Sequence, residues 1–322
     1  MVVKKRNCIF VVLCLLAFPM SAEIFIAPSI GFSRGTLGEI VYVNTNEYAD
    51  DTLSELFWDY AFLSAGVKTG VKGAHFLFEN AVSYAIAAQK GSMSDSDYLN
   101  VQYSGLQDYQ YKTNYSESDN VLCRAVSVNT KVAFEFNTAS WLHLSPFGGV
   151  DFFYTRFRAE NGWYRYGKET SYGCYAYNSS NSTSGTFSGT VMTYRRYDVL
   201  TWLGLESVFL PSEKSRVSLS AAFCPYYFAA DIDNHVLRDI TFVDFATGSF
   251  CAFKIGTETE FDVTDLLSLD FSVSYIGTTK IRGITYQKSS TEKVYKKTTG
   301  VESGMDLKNL NIAVSLKLRL FQ

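Results

Sequence analysis

The stretch "NLNIAVSLKLRLFQ" alternates strictly. Leu310, Ile312, Val314, Leu316, Leu318 and Leu320 fall on one face, and Asn309, Asn311, Ser315, Lys317 and Arg319 on the other. Period two over this length predicts a strand, because successive side chains of an extended chain point to opposite sides. "LSLDFSVSY" repeats the pattern, with Leu267, Leu269, Phe271, Val273 and Tyr275 set against Ser268, Asp270, Ser272 and Ser274. One face of such a strand suits hydrocarbon and the other suits water. A soluble sandwich also alternates, but three features favour a transmembrane barrel. They are an export signal, many alternating segments long enough to cross a bilayer, and a final strand ending in Phe321. Aromatic runs such as "FFYTRF" and "PYYF" would supply the interfacial girdles.

Turn residues divide these segments in a regular way. Short connections are expected at Lys72-Gly73, near Asn137 to Ser140, at Leu210 to Ser215 and at Asp262 to Leu267. Longer polar stretches fall at Asn44 to Asp51, Asp97 to Asn120, Gly167 to Gly185, His235 to Gly248 and Lys288 to Ser303, and Asn178 to Gly189 reads as a polar low-complexity loop. Four short turns and five long loops predict an all-β fold. It is a ten-stranded antiparallel transmembrane β-barrel, with long extracellular loops and short periplasmic turns.

The first 22 residues carry Lys4, Lys5 and Arg6, an apolar run from Ile9 to Phe18, and the small pair Ser21 and Ala22. They read as a secretory signal peptide, leaving 23–322 as a single barrel domain. No later segment supplies the roughly 18 apolar residues of a membrane-spanning helix. A net charge of -3 provides no basic footprint, so no nucleic-acid partner is expected. Beyond the signal, Cys123, Cys174, Cys224 and Cys251 lack the spacing of a zinc site or a disulfide framework.

The third strand places chemistry at its outer end. Its even positions, including Phe76, Phe78, Val82, Tyr84 and Ile86, are apolar, so the odd positions Glu79, Ser83, Asp95 and Asp97 inherit the lumen face. Two carboxylates side by side should raise the pKa of one of them. The seventh strand, with "AADIDNHVLRD", sets Asp231, Asp233 and His235 at alternate positions. Simple parity from Val217, Leu219, Ala221 and Phe223 would turn these three outward. Two readings point them inward: a bulge at Pro225 that adds a residue and swaps faces, or a position above the hydrocarbon. An Asp two residues from a His can hold the imidazole as a base. Taken alone, each acidic motif is better read as a solvated loop tip. His75 and His143 lie near the short-turn end without an acidic constellation and read as interfacial or structural.

In "GSMSDSDYLN" and "ADIDNHVLRDITF" the chain resembles the omptins, ten-stranded outer-membrane proteases of Gram-negative bacteria. The first looks like the family's Gly-x-Met-x-Asp-x-Asp segment, the second like its Asp-x-Asp-x-His segment. Weaker similarity runs through "GFSRGTLGEIVYV", "LSELFWDYAFLSAGVKTGVK" and the last strand. The resemblance implies an aspartic-type endopeptidase in which Asp95 and His235 activate the attacking water, supported by Asp97 and Asp233, with no metal and no cofactor. It implies peptide or protein substrates with Arg or Lys at the cleavage site, held by Glu39 and Asp231, and a site facing outside the cell. Omptins also need lipopolysaccharide, bound by basic and acidic side chains on the outer wall. In "GGVDFFYTRFRAE" the acidic member is replaced by Phe152 or Tyr154, with Arg156 as the basic member, which leaves an activating outer-membrane lipid open. The competing reading is a non-catalytic barrel serving as an adhesin or structural surface protein. A diffusion pore is disfavoured, because a ten-strand lumen is narrow and filled by side chains.

Overall fold

The computed structural model describes residues 22–44, 51–100 and 109–321. Of the expected signal peptide only Ala22 lies among them. The chain runs up and down in ten antiparallel passes. Glu23–Val43 and Thr52–Lys72 form the first two, and the third is Phe76–Gln89 continued by Gly91–Asp97. Asn114–Phe134, Leu142–Gly167 and Ser182–Ser212 follow. The seventh to ninth passes are each broken in two: Ser215–Phe223 with Tyr227–His235, Ile240–Gly248 with Ala252–Thr264, and Leu267–Thr278 with Ile281–Ser289. The tenth, Val301–Phe321, pairs with both the ninth and the first, which closes the wall. Closure leaves no unpaired edge, the condition for a sheet to stand in hydrocarbon.

The alternation read from the sequence sorts the two faces. Val82, Leu205, Leu219, Ile255, Phe271 and Val314 are exposed on the outer wall. At the same height the lumen holds Lys68, Asp151, Lys254 and Glu258, paired as Lys68–Glu258 and Lys254–Asp151, each at 2.7 Å. They surround a polar cavity of about 280 Å³. Below it, Lys317 and Arg319 meet Glu260 at 3.1 and 2.8 Å. Above it, Trp58 stacks on Tyr194 with ring centroids 4.8 Å apart, and both are fully buried with Phe157. These groups fill the lumen on either side of the cavity.

The four short turns lie where expected. Of the expected loop Asn44 to Asp51, residues 45–50 lie outside the described residues; the other four long loops are shorter than expected, because strand pairing continues into them. Asn114–Phe134 already begins inside the expected Asp97 to Asn120 loop, and Ser182–Ser212 begins inside the polar Asn178 to Gly189 stretch. His235 to Gly248 is mostly strand, with only a short 3₁₀ turn at Val236–Arg238 before Ile240–Gly248. Ladder hydrogen bonds to neighbouring passes outweigh polar composition here. His143 also departs from expectation: its Nδ1 lies 2.8 Å from Glu135 Oε1, and Arg216 binds the same carboxylate. An acidic partner therefore does sit beside it, brought across the turn.

Between the aromatic stack and the cavity, Arg196 is fully buried. Its guanidinium donates to Asp198 Oδ1 at 3.0 Å, to the Gly38 carbonyl at 2.8 Å and to the Tyr227 hydroxyl at 2.8 Å. This one side chain ties the first, sixth and seventh passes together across the lumen. Arg196→Ala would leave Asp198 buried and uncompensated, and should cost about 3–5 kcal/mol. Urea unfolding in lipid vesicles, followed by tryptophan fluorescence, measures it, and a loss under about 1 kcal/mol would equate the pair with a surface bridge.

Candidate active site

Asp95 and Asp97 reach the lumen because two irregularities cancel. In the pairing of second and third passes, Ser64 faces Ala85 but Leu63 faces Ala87, so one extra residue enters at Ile86. A second enters between Gln89, opposite Ala61, and Met93, opposite Trp58. Each insertion flips the face, and two restore it. Asp95 then lies between Leu56 and Ser116 on its neighbours, and Asp97 between Ser54 and Asn114. Asn114 Nδ2 donates to Asp97 Oδ2 at 3.2 Å.

The seventh pass changes face once. Leu203 faces Phe223, whereas Leu200 faces Tyr227, so one residue is added at Cys224–Tyr226, around Pro225. Thr201 holds the break: its hydroxyl contacts the Tyr226 amide and carbonyl, each at 3.0 Å. Leu219 and Phe223 point out, while Tyr227, Ala229, Asp231, Asp233 and His235 are all buried. The bulge reading of Pro225 is therefore the one the structure adopts.

His235 Nε2 lies 2.5 Å from Asp233 Oδ2, and the Phe242 ring meets the imidazole edge-on at 5.3 Å. With Asp233 on Nε2, Nδ1 is the nitrogen left to accept a proton. Arg238, from the 3₁₀ turn, lies against Nδ1. On the outer wall near these segments exposed Arg124, Arg156 and Arg195 stand among the last apolar positions, such as Phe245, so this chemistry sits at the upper margin of the apolar belt. Burial and the neighbouring Asp97 push the Asp95 carboxyl up to about 7, against the opposing pull of His235 and Arg238. Asp95 and His235 thus share one electrostatic field although they come from different passes.

The other two expected residues form a second acidic group. Asp231 accepts from the Tyr194 hydroxyl at 3.0 Å, and Glu39 is buried between Met305 and Leu56 on its neighbours. Sequence reasoning missed Asp244, which the structure adds. It is the direct cross-strand partner of Asp231, and Glu39, Asp231 and Asp244 offer oxygens all within 4.8 Å of one another. A hard divalent cation could span that spacing; with no imidazole or thiolate the set is not of zinc type. Burial and Asp244 hold the Asp231 carboxyl well above its usual range, while Arg196 pulls it down. Asp244 has a weak sequence signal because apolar Phe242 and Ala246 share its inner face, which blurs the alternation, and because the segment falls in the expected His235 to Gly248 loop. Arg238 and Arg196 carry no sequence signal of their role.

The Omptin family model matches residues 20–320. No curated protein matches the chain. Among solved structures, the outer membrane protease OmpT from Escherichia coli is 16% identical with a TM-score of 0.75, covering 92% of this chain and 97% of that one. The translocator domain of the autotransporter NalP from Neisseria meningitidis (7% identity, TM-score 0.31, coverage 98% and 94%) and the P. putida toluene transporter TodX (8%, 0.29, 95% and 91%) score too low to bear on the fold. A family match over nearly the whole length, on a closed barrel of the OmpT kind, establishes that the chain belongs to the omptin family of outer-membrane proteases and stands in a bacterial outer membrane.

Proposed function

We propose that this barrel is an endopeptidase cleaving at basic residues, with Asp95 and His235 activating a water at the extracellular mouth. The observation that carries the reading is that half-buried Asp95 and buried His235 share one electrostatic field, on passes whose register faces both toward the lumen. Asp233 orients His235 through Nε2, so that Nδ1 can take the water's proton, and Asp97 keeps the Asp95 carboxyl basic. Arg238 has to withdraw from Nδ1 to admit that water, which assigns the Val236–Arg238 turn the part that yields to substrate. Glu39 and Asp231 are the anionic contacts for an Arg or Lys side chain.

An activating lipid also has support on the outer wall. Arg124, Arg156 and Arg195 are direct cross-strand neighbours on the fourth, fifth and sixth passes, and all three are exposed. Immediately toward the belt, Tyr154 and Tyr197 pack with ring centroids 5.0 Å apart. A row of guanidinium groups above an aromatic rim suits lipid phosphates at the headgroup level, and it needs no acidic member at Phe152 or Tyr154.

Refolded protein should hydrolyse peptides containing Arg-Arg or Arg-Lys, and Asp95→Asn or His235→Ala should each lower kcat by about 10²- to 10⁴-fold. Turnover surviving both changes would remove the catalytic assignment, and a wild type inactive on all such peptides would favour the adhesin reading. The Asp95 carboxyl, at about 7, must be ionised to act as a base, so kcat/KM should fall as pH drops below about 7. A flat profile between mildly acidic and neutral pH would contradict that role. Arg124→Gln, Arg156→Gln and Arg195→Gln combined should weaken stimulation by phosphate-bearing lipid, measured against uncharged detergent. Equal stimulation of the triple variant and the wild type would place the lipid elsewhere.

A further inference from the structure

We propose that Asp244 is a third specificity carboxylate, completing with Glu39 and Asp231 a pocket that closes on the cationic head of a basic side chain. The inference rests on the peptidase reading for its biological meaning, but its test does not require turnover.

The three acids come from the first, seventh and eighth passes and converge with oxygens within 4.8 Å. Each is at least nine-tenths buried, and each leaves an oxygen with no hydrogen-bond partner: Glu39 Oε2, Asp231 Oδ1 and Asp244 Oδ1. Buried carboxylate oxygens are costly when unpaired, so the fold holds them ready for a donor it does not itself supply. Arg196, directly across from Asp231, cannot be that donor, since its guanidinium is spent on Asp198, the Gly38 carbonyl and Tyr227. Three carboxyl groups against one such guanidinium leave acidic oxygens in excess at one point, and a cation arriving there favours their ionised form.

The surroundings favour a cation on an apolar stem. Met305 and Leu56, both buried, flank Glu39 on the same face, and the Trp58–Tyr194 stack carries the hydroxyl that fixes Asp231. Apolar side chains beside an anionic end suit the methylene stem that carries the charged tip of arginine or lysine. Asp244 faces Asp231 on one side and Thr285 on the other, with Asp233 nearby. Burial pushes its carboxyl up to about 7, so in the empty pocket it can carry a proton that an arriving cation displaces.

Titration of argininamide and lysinamide, in EDTA, into refolded wild type and Asp244→Asn tests this. Binding of at least one amide by the wild type, weakened about 10- to 100-fold in the variant, is expected for loss of one charge-assisted contact. On Arg peptides the same variant should raise KM far more than it lowers kcat. Equal binding by the two proteins, or no binding by the wild type, overturns the role of Asp244. A wild type that binds the amides in an Asp244-dependent way yet cleaves nothing upholds the pocket and overturns the peptidase reading. Asp244→Ser, which has no charge and less bulk, provides the same comparison should the asparagine variant fail to refold.

Discussion

In a sheet wall, a single residue of register decides whether a side chain meets lipid or lumen, because the side-chain period is two. The site of this barrel depends on that constraint at each step. Below the mouth, strict alternation gives an outer wall of Leu219, Ile255 and Val314 and a lumen of paired charges. Two insertions in the third pass and one in the seventh then set Asp95, Asp97, Asp231, Asp233 and His235 on the inner face. Had either pass carried one insertion more or fewer, its acids would have turned outward.

The two ends of the lumen treat charge differently. Low in the barrel, Lys68, Lys254, Lys317 and Arg319 each have carboxylate partners at close range, and this part serves as a filled strut. At the mouth, carboxylates outnumber the cations that face them, and several oxygens lack partners. Burial without compensation raises carboxylate pKa values. It thereby brings the Asp95 carboxyl near neutral pH and holds those of Asp231 and Asp244 raised, as the proposed base and the proposed cation pocket require. Arg196 separates the two regimes and ties together the first and seventh passes, which carry Glu39, Asp231, Asp233 and His235.

The motifs in "GSMSDSDYLN" and "ADIDNHVLRDITF" were legible in the sequence, and the structure brings their acids and His235 to the same mouth. Their partners were not. Asp244 lay in a stretch read as loop, and Arg196 sits in "YRRYDVL", where charge falls on both faces and parity has no contrast to work with. The third strand's acids were placed inward by simple parity, which holds only because two irregularities cancel. The arginine row on the outer wall is invisible along the chain, since its members are spaced far apart and meet only through pairing.

The sequence by itself determined the class of fold. Alternation and turn spacing, with the export signal and the final strand, favour a closed sheet over a soluble sandwich, because hydrocarbon requires every backbone group to find a partner. It also marked the break at Pro225, since proline cannot donate to a ladder. Only the tertiary structure decided which way that break turns the chain and how far pairing extends into the polar loops. It alone decided which carboxylates from distant passes meet at one point. Those outcomes depend on register between strands, and register is set by closure of the whole wall.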